Sequence, residues 1–178
     1  MILLLRRNER KKRMKMFGRI FLVCVFIVLV FSIPRVSGQF FIFQNPLEGE
    51  MAPDFNLATL DNDSVNFFEY RNGKRAIVFF WAIWCPHCRT ALRDLNLKQD
   101  MIKQRQIKIV LVDIGENRAK VEAYFKRNDI NLNVFLDKES SVAELYSVSG
   151  IPSFYYVDAN GIVATVGHDL LEDFESLF

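Results

Sequence analysis

An α/β fold, with a central mixed sheet covered by helices on both faces, is predicted by three features of the 178-residue sequence. Two continuous apolar runs, "AIVFFWA" at 76–82 and "IKIVLVD" at 107–113, have the composition of strands buried on both sides. Segments of helical periodicity separate the strand-like runs, as in parallel βαβ units. Near the end, "SFYYVDANGIVATVG" places Asn160-Gly161 between two apolar stretches, a strong local signal for an antiparallel hairpin.

The chain opens on a dense basic set, Arg6, Arg7, Arg10, Lys11, Lys12, Arg13, Lys15 and Arg19, followed by an unbroken apolar stretch from Ile20 to Ile33. Positive charge stays on the cytoplasmic side of a membrane, so residues 1–38 are expected to be a targeting segment that delivers the remainder of the chain to the other side. The apolar run suits the core of a signal peptide better than a full span of roughly twenty residues, and Val36–Gly38 is a tolerable cleavage site. Phe17, Gly18 and the aromatic Phe40–Phe43 lengthen an uncleaved anchor equally well, so both forms stay open. Cys24 is an apolar filler of this segment.

Export alters the meaning of the charge. The whole chain is at +2, but residues 1–38 hold nine of the Lys/Arg and only one acid, Glu9, which leaves the rest at −6 with 14 basic and 20 acidic residues. Such a domain has no basic surface for nucleic acid.

Residues 39–50 read as a linker and residues 51–178 as one domain, large enough for a proper core. Within it, "APDFNLATLDNDSVNFF" has two alternating stretches around Asp61–Asp63 and predicts an N-terminal β-hairpin. The buried strand at 76–82 comes next. Leu92, Leu95 and Ile102 then fall at helical spacing, with Arg89, Arg93, Asp94, Lys98 and Lys103 on the solvated face. After the strand at 107–113, a helix is expected from about Glu116 to Arg127, burying Val121, Tyr124 and Phe125. A short strand at Val134–Leu136 leads to a third helix, opened by Ser141 and Glu144 in capping-box spacing. Beyond the hairpin, a last helix is expected from about Asp169, with Leu170, Leu171, Phe174, Leu177 and Phe178 on one side.

The chemistry lies in "WAIWCPHCRT", Trp81–Thr90. Of the three cysteines, only Cys85 and Cys88 can belong to the domain. A structural zinc site needs about four ligands, and beyond this pair the chain offers only His168, with His87 held between the cysteines. Covalent haem attachment requires histidine directly after the second cysteine, where Arg89 stands. A purely structural bridge closing so short a loop removes little chain entropy. A redox pair is the better reading. It needs no metal or organic cofactor, because the electrons reside on sulfur.

The pair sits where a buried strand gives way to a helix. Free amides and the macrodipole there favour a Cys85 thiolate, and Pro86 suits the first helical position. Cys88, almost one turn on, is tucked behind an exposed Cys85. Cys85 is therefore the expected nucleophile and Cys88 the resolving thiol. His87 favours the thiolate further and makes the disulfide a stronger oxidant; a polar residue on an exposed first turn is its plainer alternative. Trp81 is expected in the core, and Trp84 on the contact surface. His168 is expected to cap or decorate the last turn, without a chemical role.

"APDF", "FFWAIWCPHC" and "GIPSFYYVDANGIV" resemble the thioredoxin superfamily, and within it the exported or membrane-anchored TlpA/ResA-like thiol-disulfide oxidoreductases. The resemblance runs from Ala52 to about Gly167 and implies a thioredoxin-like fold. It also implies that Pro152 is cis and faces the disulfide, and that Ile151 offers backbone hydrogen bonds to an extended substrate. The dipeptide Pro86-His87 resembles oxidising DsbA-like proteins, whereas the remainder is TlpA-like, so the direction of electron flow stays open. Two acids common in relatives are missing. Phe79 stands six residues before Cys85, where many carry a buried proton-relaying acid, and Ala91 and Arg93 replace a Glu and a Pro after the second cysteine.

The resulting expectation is an extracytoplasmic thiol-disulfide oxidoreductase, periplasmic or at the cell surface, acting on protein thiols and disulfides. It either donates disulfides to secreted proteins or reduces a partner such as an apocytochrome before haem attachment, and a membrane redox partner resets Cys85 and Cys88. A thioredoxin-fold binding module without turnover is the alternative, and a peroxiredoxin-like peroxidase a more distant one.

Overall fold

The protein is described by a computed structural model over residues 45–61 and 64–173. The expected targeting segment lies outside the described residues. Among the described residues no helix is long and apolar enough to cross a membrane.

Seven strands form one mixed sheet: β1 (Asn56–Thr59), β2 (Val65–Asn66), β3 (Arg75–Trp81), β4 (Ile107–Ile114), β5 (Val134–Asp137), β6 (Ser153–Val157) and β7 (Val163–Gly167). Their spatial order is β2-β1-β5-β4-β3-β6-β7. β3 and β4 pair in parallel from Arg75 with Ile107 to Trp81 with Asp113, and β4 pairs in parallel with β5. β6 runs antiparallel to β3 on its other side. The continuous apolar runs form the interior strands, as their lack of a polar face requires.

Helices cover both faces. α2 (Pro86–Gln104) and α3 (Arg118–Arg127) bury Leu92, Leu95, Ile102, Val121, Tyr124 and Phe125 against Ile77, Phe79, Trp81, Ile109 and Leu111. Each fully buried aliphatic side chain contributes about 2 kcal/mol by removal of apolar surface from water. α1 (Phe67–Arg71) and α4 (Ser141–Leu145) lie on the opposite face, with Phe67, Val142 and Ala143 packed on Val78, Phe80, Val110 and Val112.

Several local features depart from the sequence expectation. The stretch "SVNFF", expected to be extended throughout, is strand only at Val65–Asn66 and turns into α1 at Phe67. Asn66 caps that helix by accepting from Glu69 N at 2.9 Å, and the local hydrogen bond outcompetes a two-residue extension of the strand. β1 and β2 pair through Asn56 with Asn66 and Leu57 with Val65; residues 62–63 of their connection lie outside the described residues.

α4 begins at Ser141, but Ser141 does not cap it. Asp137, at the end of β5, accepts from Ala143 N at 2.8 Å and from Ser141 Oγ at 3.3 Å. A carboxylate reaching from the preceding strand takes the part expected of the serine.

The hairpin between β6 and β7 is a longer loop than a two-residue turn, and in it Gly161, not Asn160, takes the left-handed conformation, at φ +96°. A Cβ there would also come within 2.9 Å of Arg71 Nη2 and Met51 Sδ.

No helix forms over Asp169–Asp173; these residues bend and turn. The Tyr156 hydroxyl accepts from Leu171 N at 2.8 Å and donates to Asp169 O at 3.5 Å, holding the segment by a side chain instead of a helical ladder. Phe174 to Phe178 lie outside the described residues. Upstream, residues 45–50 are bonded into the domain. Asn45 Nδ2 donates to Tyr155 Oη at 2.8 Å, and Gly49 N to Val163 O at 2.8 Å.

Candidate active site

β3 ends at Trp81, the chain turns through Ala82–Trp84, and α2 starts at Pro86 with Cys85 as its N-cap. Cys85 has the extended backbone of a cap, at φ −85° and ψ 111°, and its Sγ accepts from Cys88 N at 3.1 Å. Sulfur here occupies the place usually held by a serine or aspartate oxygen, satisfying one of the orphan amides of the first turn. Pro86 costs nothing at the first helical position, because its missing N–H would have had no partner.

Cys85 and Cys88 are joined as a disulfide, with Cα atoms 5.2 Å apart. Cys88 is fully buried and Cys85 is only 4% exposed. The sequence expectation of an exposed Cys85 is therefore corrected: the Ile151–Pro152 loop covers it, with Ile151 O 3.8 Å from Cys85 Sγ. His87 and Pro86 face solvent. Trp81 is wholly buried beside Tyr124 and Phe125, whereas Trp84 is 67% exposed.

The peptide bond between Ile151 and Pro152 is cis. The loop precedes β6 and is tied down by Ser153 Oγ, which donates to Gly150 O at 2.6 Å. His168, expected from sequence to have no chemical role, lies just past β7 with its Nδ1 2.8 Å from Pro152 O. A carbonyl oxygen can only accept, so Nδ1 carries the hydrogen in this arrangement. His87, Gly150, Ile151, Pro152, His168 and Asp169 line an open cleft of about 330 Å³ beside the disulfide.

Sequence reasoning missed two further groups around the active-site turn. Ile83 N donates to Glu116 Oε2 at 2.9 Å, and Ile83 O accepts from Arg89 Nη1 at 2.8 Å, so one residue of the turn is clamped at both its amide and its carbonyl. Arg89, read from sequence as part of a solvated helix face, bends back over the turn. Glu116, read as the start of a helix, is buried just before the α3 cap Asn117. Position six before Cys85 is filled by Phe79, stacked on Phe154 with ring centroids 4.3 Å apart. The buried acid nearest in kind is Asp113, at the end of β4; burial first, then the Glu116 carboxyl, push its pKa up to about 8. Among the described residues no three His, Cys, Asp or Glu side chains are grouped to hold a metal.

The arrangement is competent for thiol-disulfide exchange: one disulfide at a helix N-terminus, one sulfur nearer the surface than the other, and a cleft alongside. The comparisons agree with it. The model of the AhpC/TSA family matches residues 49–166. A thiol-disulfide oxidoreductase ResA from Geobacillus kaustophilus is 30% identical over 118 residues, covering 66% of this chain and 67% of the relative. The ResA of Bacillus subtilis is 25% identical over 135 residues, covering 73% and 75%. Among solved structures, a thiol:disulfide interchange protein of the thioredoxin family from Chlorobium tepidum has a TM-score of 0.61 at 28% identity, covering 71% of this chain and 92% of that one. StoA from Bacillus subtilis shares the fold, with a TM-score of 0.59 at 22% identity over 71% of this chain and 94% of that one. The chain accordingly belongs to the AhpC/TSA family, as a thioredoxin-fold thiol-disulfide oxidoreductase.

Proposed function

We propose that this oxidoreductase acts outside the cytoplasm on protein substrates, with Cys85 as the exchanging sulfur and Cys88 as the resolving one. The observation that carries the reading is the difference in surroundings of the two sulfurs: Cys85 keeps 4% exposure and lies 3.8 Å from Ile151 O, a residue that lines the cleft, while Cys88 is closed off. A substrate thiolate attacks Cys85 Sγ, the bond to Cys88 breaks, and Cys88 leaves as a thiolate that takes up a proton. A second substrate thiolate then attacks the substrate sulfur of the mixed disulfide and releases Cys85. The substrate gains one disulfide, and the pair gains two electrons. Run backwards, the same steps reduce a substrate.

In this reading Ile151 and Pro152 present backbone to an extended substrate, Trp84 supplies apolar contact, and Pro86 and His87 bias Cys85 towards its thiolate. Residues 1–38 act as signal peptide or membrane anchor and 51–178 as the thioredoxin-like domain; of the expected linker 39–50, residues 45–50 belong with the domain to which they are bonded. The basic block followed by the apolar run supports delivery across the membrane. A membrane redox partner resets the pair.

Insulin reduction, together with oxidative refolding of a reduced substrate, tests the activity. Turnover in either supports it; turnover in neither favours a binding module, and consumption of hydrogen peroxide favours a peroxidase. The reduction potential sets the direction, since about −120 mV marks an oxidant and about −270 mV a reductant. Protease accessibility of residues 51–178 on cells stripped of any outer membrane, with the cytoplasmic membrane intact, tests location, and protection there would defeat export.

A further inference from the structure

Side-chain alternation along β4 places Ile107, Ile109 and Leu111 against α2 and α3, so Asp113 points to that same face. Asp113 is wholly buried, and apart from a weak interaction with the Glu116 backbone amide its carboxylate oxygens make no well-formed hydrogen bond among the described residues. Its register partner on β3 is Trp81, on the same face and equally buried, whose Nε1 is also unsatisfied. A charged carboxylate held there would bear its full desolvation cost. Glu116 next to it is differently placed: it accepts from Ile83 N at 2.9 Å and from Lys120 Nζ at 3.3 Å. Two donors serve the Glu116 carboxylate. Asp113, more deeply buried and without a comparable donor, takes the proton, and its O–H is then the donor that two neighbouring carboxyls require.

Glu116 reaches the chemistry through Ile83, two residues before Cys85. The same peptide segment is held from the other side by Arg89. A change of charge on the pair therefore acts on the turn that carries Cys85, both through the Ile83 hydrogen bond and through space.

We propose that Asp113 and Glu116 are positioning residues that share one proton, hold the active-site turn through Ile83, and make the reduction potential of Cys85–Cys88 respond to loss of that proton. The inference rests on reading the disulfide as redox active. Loss of the proton leaves two negative charges beneath the α2 N-terminus, which disfavours a Cys85 thiolate and makes the couple more reducing. By linkage, a thiolate on Cys85 tightens the hold of the pair on its proton to the same degree. The other charged group facing the pair is Lys120 of α3, 3.3 Å from Glu116 Oε1; Arg89 of α2 and Tyr124 of α3 lie one contact away, on Ile83 O and on the Trp81 ring. Lys120 is positive and stabilises its single negative charge. From β5 the neighbour is Leu136, while Asp137 points to the other face, bonded to Ser141 and Ala143.

The test is the glutathione redox equilibrium of the full chain from about pH 6 to about pH 9, measured for the unaltered protein, Asp113→Asn and Glu116→Gln. The unaltered protein should show, across the upper half of that range, an extra shift of about three- to tenfold beyond the thiol protons, the size expected for one partly screened unit charge. Asp113→Asn should lose it. Glu116→Gln should lose it as well and change the equilibrium at every pH. Infrared spectroscopy of the unaltered protein gives an independent reading: a carboxylic-acid carbonyl band at neutral pH that fades in alkali and is missing from Asp113→Asn. Superimposable pH curves for the unaltered protein and Asp113→Asn, or no such band at neutral pH, would overturn the proposal. If the unaltered protein does not exchange with glutathione at all, the redox reading fails, and the infrared band still decides whether the pair shares a proton.

Discussion

Against α1 and α4 the sheet packs Phe55 flat on Phe67, with ring centroids 4.9 Å apart, and sets Tyr146 edge-on to Tyr155 at 5.2 Å. The buried hydroxyls there are bonded, Tyr146 to Pro53 O and Tyr155 to Tyr146 O, each at 2.7 Å. Against α2 and α3 the filling is largely aliphatic, and this face holds both cysteines, the unpartnered Trp81 Nε1 and the unpartnered Asp113 carboxyl. The first face has both tyrosine hydroxyls bonded and, among the described residues, leaves Arg71 Nε as its unpartnered buried atom, at the end of α1; the second keeps an unpartnered carboxyl and the disulfide, groups whose state can change. Burial costs are tolerated mainly on the side where charge and bonds must alter during a reaction, and are largely offset by hydrogen bonds on the side that only has to stay in place.

Substitutions that respect this division should separate stability from chemistry. Cys85→Ala and Cys88→Ala should each abolish turnover in insulin reduction, and Cys88→Ala alone should accumulate mixed disulfides through Cys85, visible by non-reducing mass spectrometry. Mixed disulfides on Cys88 in the Cys85→Ala variant would reverse the assigned roles. On the opposite face, Phe80→Ala should cost about 3–5 kcal/mol in urea unfolding, as expected for a fully buried aromatic, while leaving the reduction potential unchanged. A shifted potential there would dissolve the contrast between the faces.

Asp113→Asn tests the same contrast through pH. The folded carboxyl holds its proton up to about 8, whereas an ordinary aspartate releases it near 3.8. Between those values the folded chain binds the extra proton, so the stability associated with this group is complete at acid pH and declines as pH rises through the window. Thermal unfolding of Asp113→Asn should therefore gain on the unaltered protein more at pH 8 than at pH 5; an equal difference at both would refute the assignment. Tyr155→Phe removes one buried hydroxyl from the bonded face and should cost about 1 kcal/mol, with no pH dependence near neutrality. Smallest of all, His87→Ala should raise the Cys85 pKa in a thiolate absorbance titration, only slightly because the exposed imidazole acts through solvent; an unchanged titration would leave His87 without a part in the chemistry.

The interior strands and the two long helices were legible because each carries its own period: unbroken apolar runs for β3 and β4, and a repeating apolar stripe for α2 and α3. The cysteine pair at the strand-to-helix junction was legible for the same reason. What escaped depends on contacts between distant segments. α1 is one short turn of helix fixed by Asn66, whose spacing to Glu69 was the available signal. The bend after Asp169 results from the hydroxyl of Tyr156, fifteen residues before Leu171. Asp113 could be read only as the polar end of an apolar strand, because its lack of a donor becomes visible once α2 and α3 are laid over it. His168 meets Pro152 through the pairing of β6 with β7, which no local pattern around the histidine encodes.

Residues 48–50 hold β7 from the side away from β6. Glu48 Oε1 accepts from Val166 N at 2.6 Å, Val163 N donates to Glu50 O at 2.9 Å, and Gly49 N donates to Val163 O. At the far margin, β2 is only two residues long. Both flanks are thereby poor templates for an incoming extended chain. An extended protein substrate of the kind proposed for this domain would in this way find no free ladder to join.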